Sequence, residues 1–436
     1  MTLTESELED ELSRIDDPAI GGDIVSLGIV TAVRVEDGTA KISLAFNTPY
    51  APDEMALGDE IRELVSEHGL EAELRAQPKA EHGFDTEVMP DVRNVIAVAS
   101  GKGGVGKTTV ACNIAAGLDD LGATVGILDA DIHGPNVPRI LTLDDEPQVT
   151  PGEMLVPPTS DGVRVASMGF LMDNPDDPAM LRGPMVNKFM TQFLEGVEWG
   201  KLDYLVVDLP PGTGDASFDL LQNVPVTGAV IVTTPQDMSI VDARKGLRMF
   251  REHDAPILGI VENMSSFRCE SCGDEHSLFG AEGADEIRED YDVPIISRLP
   301  LHSDFGEGGT DGAAVKDDES PVNEDASALV ERAINRLSEI NRRTVAENVA
   351  PKSLHDSTVP TSATAETAEP EPEPEPDAES DGEDTELEPD AESDGEDTEP
   401  EPDAESDGED IESEPDADAE SDGDIGGSLT VDTKDD

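Results

Sequence analysis

The sequence predicts an α/β protein in which a doubly wound parallel sheet is preceded by a small α/β domain and followed by a disordered acidic tail. In the middle of the chain, short apolar runs typical of buried parallel strands alternate with helical patterns. Near the N-terminus, a hairpin signal lies between two amphipathic segments, and near the C-terminus apolar residues almost disappear. We place the boundaries at 1–85 for the small domain, 86–91 for a linker, 92–345 for the main domain and 346–436 for the tail.

The small domain combines two helical segments with one hairpin. Thr4–Ile15 has the pattern of an amphipathic helix, with Ser6 or Thr4 as its cap. Ile29–Val35 and Thr39–Phe46 alternate like paired strands around Asp37-Gly38, and Met55–His68 places its apolar residues on one helix face.

The main domain shows the alternation of strands and helices that a doubly wound sheet requires. Its strands are predicted at Val95–Ala99, Thr124–Leu128, Leu205–Leu209, Ala229–Thr233, Ile257–Val261 and Ile295–Ser297. An amphipathic helix, Asn323–Ile340, is expected to close the domain.

Charge excludes several classes of partner. The formal net charge is −72, and residues 351–436 alone hold 35 acidic and 2 basic residues. The tail repeats one acidic motif at Pro376, Pro389 and Pro402, and it has too few apolar residues to fold. Such a chain would repel nucleic acid and anionic membranes, so we expect neither as a partner. Concentrated salt screens the repulsion between so many acidic side chains, so our hypothesis is that the protein comes from a halophilic source.

The N-terminus and the cysteines favour a reduced, cytoplasmic location. Met1–Asp17 is acidic and has no apolar stretch of the kind that signal peptides carry. The three cysteines are too few for a disulfide framework.

A glycine-rich loop between the first main-domain strand and a helix predicts a phosphate site. Ser100 is followed by a match to the P-loop pattern, in which backbone N–H groups face a polyphosphate at a helix N-terminus. Lys107 would neutralise the outer phosphates of ATP, and the Thr108 hydroxyl would ligate Mg²⁺. The nucleotide-binding residues of this loop are Gly101, Lys102, Gly103, Gly104, Val105, Gly106, Lys107, Thr108 and Thr109.

Acidic side chains lie at the C-terminal ends of two predicted strands, where ligands bind in such sheets. Asp208 ends the strand Leu205–Leu209 as a Walker B acid and should hold Mg²⁺ through water or Thr108. Asp129 and Asp131 follow the second strand, where they form either part of the site or a helix-capping pair.

The second lysine of the loop, Lys102, makes the site resemble the deviant-Walker group of dimeric P-loop ATPases. The resemblance implies that Lys102 reaches the nucleotide of a partner subunit, and we count Lys102, Lys107 and Asp131 as catalytic. It also implies that Asp129 supports the Mg²⁺ shell, that Asp131 positions the attacking water, and that Asn263 reads the base.

Two cysteines lie shortly after the strand that bears Asn263. Cys269 and Cys272 form a C-x-x-C pair that can hold one soft metal centre but cannot supply four ligands. His276 would add one ligand to a zinc site, and a redox dithiol is a further alternative. Cys112 is expected in the core. Two chains related by a two-fold axis would supply the four thiolates of a 4Fe–4S cluster.

These motifs together resemble the Mrp/ApbC family of iron–sulfur cluster carrier ATPases. The resemblance lies in Leu181–Val186, Trp199–Tyr204, Asp208–Asp215, Glu262–Ser265 and Cys269–Cys272. It implies a homodimer that binds ATP and Mg²⁺, receives a 4Fe–4S cluster from an assembly scaffold and transfers it to apo-proteins. The alternatives are a ParA/MinD-like partitioning or positioning ATPase and a zinc-bound regulatory ATPase.

The small domain has a resemblance of its own, to the accessory domain fused to some iron–sulfur assembly ATPases. The pattern Asp16–Pro18 followed by Asp23–Val30 carries it. Many members of that domain family have a cysteine in the loop after the second strand, where this chain has Ala51. We therefore expect a docking module without thiol chemistry.

Overall fold

The computed structural model describes residues 3–76, 89, 91–131, 134–143, 145–152, 154–171, 193–194, 196–269, 272, 274–280, 283–305 and 313–349. Most of the predicted linker, the segment Leu181–Val186 and the predicted tail from residue 350 lie outside the described residues.

The N-terminal module is a three-stranded sheet with two helices. Its elements are α1 (Glu5–Leu12), β1 (Val30–Glu36), β2 (Thr39–Leu44), α2 (Pro52–Glu67) and β3 (Glu71–Ala76). The hairpin prediction is confirmed, because β1 and β2 pair antiparallel around Asp37 and Gly38, both at positive φ. Thr4 caps α1 in a capping box with Glu7. The sequence missed β3, which pairs parallel to β2 and is half-exposed, so its pattern is weak.

The large sheet carries the rest of the fold. Its strands are β4 (Val92–Ser100), β5 (Val125–Asp129), β8 (Thr159–Ser160), β9 (Val163–Ser167), β10 (Leu202–Asp208), β11 (Gly228–Thr233), β12 (Ile257–Glu262) and β15 (Ile295–Arg298). The two-stranded pairs are β6 (Gln148–Val149) with β7 (Leu155–Val156), and β13 (Phe267–Arg268) with β14 (Glu275–His276). The helices are α3 (Lys107–Asp120), α4 (Val137–Ile140), α5 (Asp215–Asn223), α6 (Asp237–Glu252), α7 (Gly283–Tyr291) and α8 (Asn323–Asn348).

The order of the large sheet is β15-β12-β11-β4-β10-β5-β9-β8, and every pairing is parallel except β8 with β9. The doubly wound prediction is therefore confirmed, and the six predicted strands are present. The edge pair β8–β9 was missed. Asp161 and Gly162 join these two strands at positive φ, so the dipeptide Asp-Gly was a usable hairpin signal.

The helices cover both faces of the sheet. On one face α3 and α8 pack over the central strands, and on the other α5, α6 and α7 form a second apolar layer. The strand β4 lies between β11 and β10, with strands on both sides that run the same way. The loops after β4, β5, β10 and β12 therefore meet at one end of the sheet, where ligands bind in such folds.

The N-terminal module packs at the other end, where the strands begin. The amide of Asn94 on β4 donates to the carbonyl of Asn47 at 2.8 Å, and the Tyr204 hydroxyl on β10 donates to the Pro49 carbonyl. Ala51, which stands where the related domains often have cysteine, is wholly buried before α2. The loop after β2 is thus a contact surface for the large sheet.

A buried charged group joins the module to α8. We call Asp17, Glu54, Ser338 and Arg342 the docking cluster. Arg342 Nε lies 2.6 Å from Asp17 Oδ2, and both side chains are wholly buried. The Ser338 hydroxyl donates to Glu54 Oε1 at 2.9 Å. Burial raises the pKa of Glu54 to about 7, although the Ser338 hydroxyl and the Arg342 charge act in the opposite direction.

Among the described residues, no helix is both long and apolar enough to cross a membrane.

Candidate functional site

The loop between β4 and α3 has the backbone of a phosphate-binding loop. Gly104 and Gly106 are at positive φ, and Gly106 directly precedes the first residue of α3. A Cβ on Gly101 would lie 2.2 Å from the backbone carbonyl carbon of Asp242, so this position admits only glycine. Val105 is buried beneath the loop, whereas Thr108 and Thr109 are half-buried in the first turn of α3. The helix N-terminus therefore opens on the loop.

Lys107 is held in the site by a buried acid. Its ammonium lies 2.6 Å from Asp208 Oδ1, and only 6% of the lysine side chain and none of the aspartate is exposed. Burial raises the pKa of Asp208, although the charge of Lys107 counteracts this rise. The Thr108 hydroxyl is also close enough to lower the pKa of Asp208. The structure thus brings together the predicted Walker A and Walker B residues.

Asp129 lies beside them at the end of β5. Its carboxylate accepts hydrogen bonds from the Ser167 hydroxyl at 3.0 Å, the Val137 N–H at 3.1 Å and the Asp131 N–H at 3.2 Å. Burial and the nearby Asp208 raise the pKa of Asp129 to about 7. Asp131 is nearly buried and also faces Asp208, whose pKa it raises. We call Lys107, Asp129, Asp131 and Asp208 the carboxylate cluster.

The carboxylate cluster offers one oxygen to a divalent cation, although among the described residues no three acidic, histidine or cysteine side chains form a complete metal site. Asp208 Oδ2 is buried and has no hydrogen-bond partner among the described residues. A buried carboxylate oxygen without a partner is costly unless a cation or a cation-bound water satisfies it. Carboxylate and hydroxyl oxygens are also the ligands that Mg²⁺ prefers. The donors present therefore fit Mg²⁺.

Lys102 occupies the start of the loop and is half-buried. Its ammonium lies 3.4 Å from Gln236 Oε1, at the residue before α6. Gln236 has no motif that the sequence analysis could have used. The Lys102 side chain thus lies on the side of the loop that faces α6.

Asn263 is placed against the loop. Its side-chain amide donates to the Val105 carbonyl at 2.9 Å, and its Oδ1 accepts from the Met264 N–H at 2.9 Å. The residue is 6% exposed. The sequence interpretation assigned this amide to the base; the structure shows it bound to the phosphate loop.

The C-x-x-C pair lies at the turn of the hairpin β13–β14. The Cys269 N–H donates to the Asp274 carbonyl at 3.0 Å, which closes the turn. Cys269 is half-buried and Cys272 is exposed. His276 is exposed on β14, and among the described residues no three His, Cys, Asp or Glu side chains are arranged to hold a metal ion.

Cys112 belongs to the core of α3, as predicted. It is wholly buried, and burial raises its pKa well above the usual value for a thiol. A neutral, inaccessible thiol is a poor metal ligand.

Ser167 is the site residue that the sequence analysis missed, because β9 was missed. Its hydroxyl donates to Asp129, and it also accepts from the Gly169 N–H at 3.0 Å. The short apolar alternation after Asp161-Gly162 would have placed this serine at a strand end beside β5.

Comparison with known families and proteins identifies the chain. Residues 91–334 match the family described as NUBPL iron-transfer P-loop NTPase, and residues 5–72 match the family described as iron–sulfur cluster assembly protein. The chain belongs to the NUBPL iron-transfer P-loop NTPase family. The match covers more than half of the chain, and the P-loop and the C-x-x-C pair both lie within it.

Two named relatives illustrate the family. The chain is 42% identical over 323 residues to the iron–sulfur cluster carrier protein of Synechocystis sp., covering 72% of this chain and 91% of the relative. It is 43% identical over 254 residues to the mouse iron–sulfur cluster transfer protein NUBPL, covering 58% and 78%. A solved nucleotide-binding protein of Archaeoglobus fulgidus in complex with ADP is 34% identical, with a TM-score of 0.45 and coverages of 57% and 90%.

Proposed function

We propose that this protein is an ATP-hydrolysing carrier that holds a 4Fe–4S cluster between two identical subunits and transfers it to apo-proteins. The observation that carries the proposal is the position of the C-x-x-C pair. It lies on a hairpin that begins four residues after Asn263, the residue whose amide contacts the phosphate loop. The family membership and the names of the relatives support the same cargo.

The nucleotide part of the mechanism follows from the P-loop and the carboxylate cluster. The loop N–H groups and the N-terminus of α3 would bind the phosphates, and Lys107 would exchange its contact with Asp208 for the outer phosphates. Thr108 and, through water, Asp208 would hold Mg²⁺, with Asp129 in support; the bound ion would stabilise charge on the phosphates. Asp131 would orient the attacking water, and Lys102 would approach the nucleotide of the partner subunit.

The cargo part follows from the number of thiols. One subunit offers Cys269 and Cys272, whereas a 4Fe–4S cluster takes four thiolates. A two-fold axis beside the hairpin turns would bring two such pairs together. Because Cys272 is exposed, a cluster bound there would be accessible to an acceptor protein. We expect the scaffold that supplies the cluster and the apo-proteins that receive it to contact this hairpin in a reduced, cytoplasmic compartment.

The test is anaerobic reconstitution of the full-length chain in concentrated KCl. Wild-type protein should take up about four irons per dimer and pass them to an apo-protein, and the Cys269→Ala, Cys272→Ala variant should do neither. Cys112→Ala is the matched control, because its thiol is buried in α3. Zinc in place of iron, or uptake by the double variant, would contradict the proposal.

Hydrolysis is tested separately with Lys107→Ala. Removing one preorganised charge from a transferring phosphate typically costs about 10²–10³-fold in rate, so we expect ATP turnover to fall by that factor. Liposome and DNA co-sedimentation tests the partitioning alternative, and binding to either would favour it.

A further inference from the structure

Both polar atoms of the Asn263 side-chain amide form hydrogen bonds with backbone groups of the protein. Its Nδ2 donates to the Val105 carbonyl within the phosphate loop, and its Oδ1 accepts from the Met264 N–H. A Cβ on Gly106 would lie 2.1 Å from Asn263 Nδ2, so the glycine leaves room for the amide. Asn263 therefore contacts the loop at Val105, two residues before α3 begins at Lys107.

The chain that follows Asn263 is anchored at each step towards the cysteines. Met264 adopts a positive φ of 55°, which turns the chain away from β12. Ser265 donates both its N–H, at 2.9 Å, and its hydroxyl, at 3.0 Å, to the Leu299 carbonyl. The Leu301 N–H then donates to the Ser266 carbonyl, and β13 begins at the next residue. Five residues thus separate Asn263 from Cys269, and hydrogen bonds hold the backbone in place at Ser265 and Ser266.

We propose that Asn263 is a positioning residue that fixes the phosphate loop at Val105 and ties it to the hairpin of Cys269 and Cys272. Through this amide, filling of the phosphate site changes how firmly the hairpin holds its metal cluster. The inference rests on the proposed carrier function and adds the group that links its two sites. A physical connection becomes evidence of coupling only when a change at one site is measured at the other.

A ligand without a base separates this role from base reading. Mg-tripolyphosphate fills the phosphate site but offers nothing to a base-reading amide. Asn263→Leu keeps the approximate volume of the side chain and adds no charge beside the phosphates, but it removes the N–H donor for Val105. Asn335→Ala is the control, since it removes a side-chain hydrogen bond to the Asp53 N–H far from the loop.

We expect Asn263→Leu to weaken the binding of MgATP and of Mg-tripolyphosphate by the same factor of about 5–10, the value of one buried hydrogen bond. In reconstituted protein, MgATP should change the rate at which a chelator removes iron, and this change should disappear in Asn263→Leu. Asn335→Ala should leave all three quantities as in the wild type. Circular dichroism of each variant checks the fold.

Three results would overturn the inference. They are an unchanged affinity of Asn263→Leu for tripolyphosphate, a nucleotide effect on iron release that survives in this variant, and a rate of iron release from the wild type that does not depend on nucleotide. Failure of the wild type to take up iron would instead contradict the carrier function, and the tripolyphosphate titration would still decide whether Asn263 positions the loop.

Discussion

At one end of the large sheet Lys107 is buried beside Asp208 and Asp129, and at the other Arg342 is buried beside Asp17 and Glu54. In the docking cluster both Glu54 oxygens accept hydrogen bonds, from the Ser338 hydroxyl and from the Thr48 N–H. In the carboxylate cluster, Asp208 Oδ2 has none among the described residues. In the docking cluster the buried Arg342 Nη2 likewise has no hydrogen-bond partner among the described residues, so each cluster contains one unpartnered buried atom. The two atoms differ in kind: a carboxylate oxygen can accept a cation, whereas a guanidinium N–H needs an acceptor such as water.

The largest expected effect comes from Arg342→Leu. This change leaves Asp17 and Glu54 buried without their cation, which typically costs about 3–5 kcal/mol in the free energy of unfolding. Urea unfolding at constant KCl measures it, and MgATP affinity should not change. Arg343→Leu is the control, because Arg343 is half-exposed and its ion pair with Glu339 is worth little. A loss below about 1 kcal/mol would show that the docking cluster does not hold the module.

The next effect is a dependence of stability on pH that originates at Glu54. Its pKa rises from 4.5 to about 7 on folding, so the folded state binds more protons between these values. The free energy of unfolding should therefore fall as pH rises through this range, by about 3 kcal/mol in total, and level off above it. Glu54→Gln should remove this contribution of Glu54 to the slope.

Asp129 contributes a slope of the same sign, because its pKa is also raised to about 7. The contribution of Asp129 to the pH dependence of stability should decrease in saturating MgATP, because a bound cation favours the ionised carboxylate. Urea unfolding between pH 5 and 8, with and without MgATP, therefore separates the two ends of the sheet. A slope in Glu54→Gln equal to that of the wild type would contradict the assignment.

The smallest effect is expected from Ser167→Ala, which removes one hydrogen bond from Asp129. The Mg²⁺ concentration needed for half-maximal ATP hydrolysis should rise about tenfold, as for other groups that orient a metal-binding carboxylate. Ser338→Ala, at the docking cluster, should lower stability and leave this Mg²⁺ requirement unchanged. If Ser167→Ala and Ser338→Ala changed the Mg²⁺ requirement equally, the assignment of Mg²⁺ binding to the carboxylate cluster alone would be wrong.

The features that the sequence predicted are those encoded by neighbouring residues. Apolar runs identified the central strands, and glycines with Lys107 and Thr108 identified the phosphate loop. The docking cluster could not be predicted in this way, because Asp17 and Arg342 are 325 positions apart. Ser167 lies on a short edge strand, and the contact of Asn263 with Val105 depends on how β12 is placed beside β4 through β11.

The length of α8 determines where the chain can be truncated without loss of the docking cluster. The family match ends at residue 334, whereas α8 continues to Asn348, and the last turns carry Ser338 and Arg342. A chain cut at the family boundary would keep every nucleotide and thiol residue but lose the only guanidinium that faces Asp17 and Glu54 among the described contacts. The N-terminal module would then carry buried acids with no counter-charge, and only contacts such as those of Asn94 and Tyr204 with the loop after β2 would still join it to the sheet.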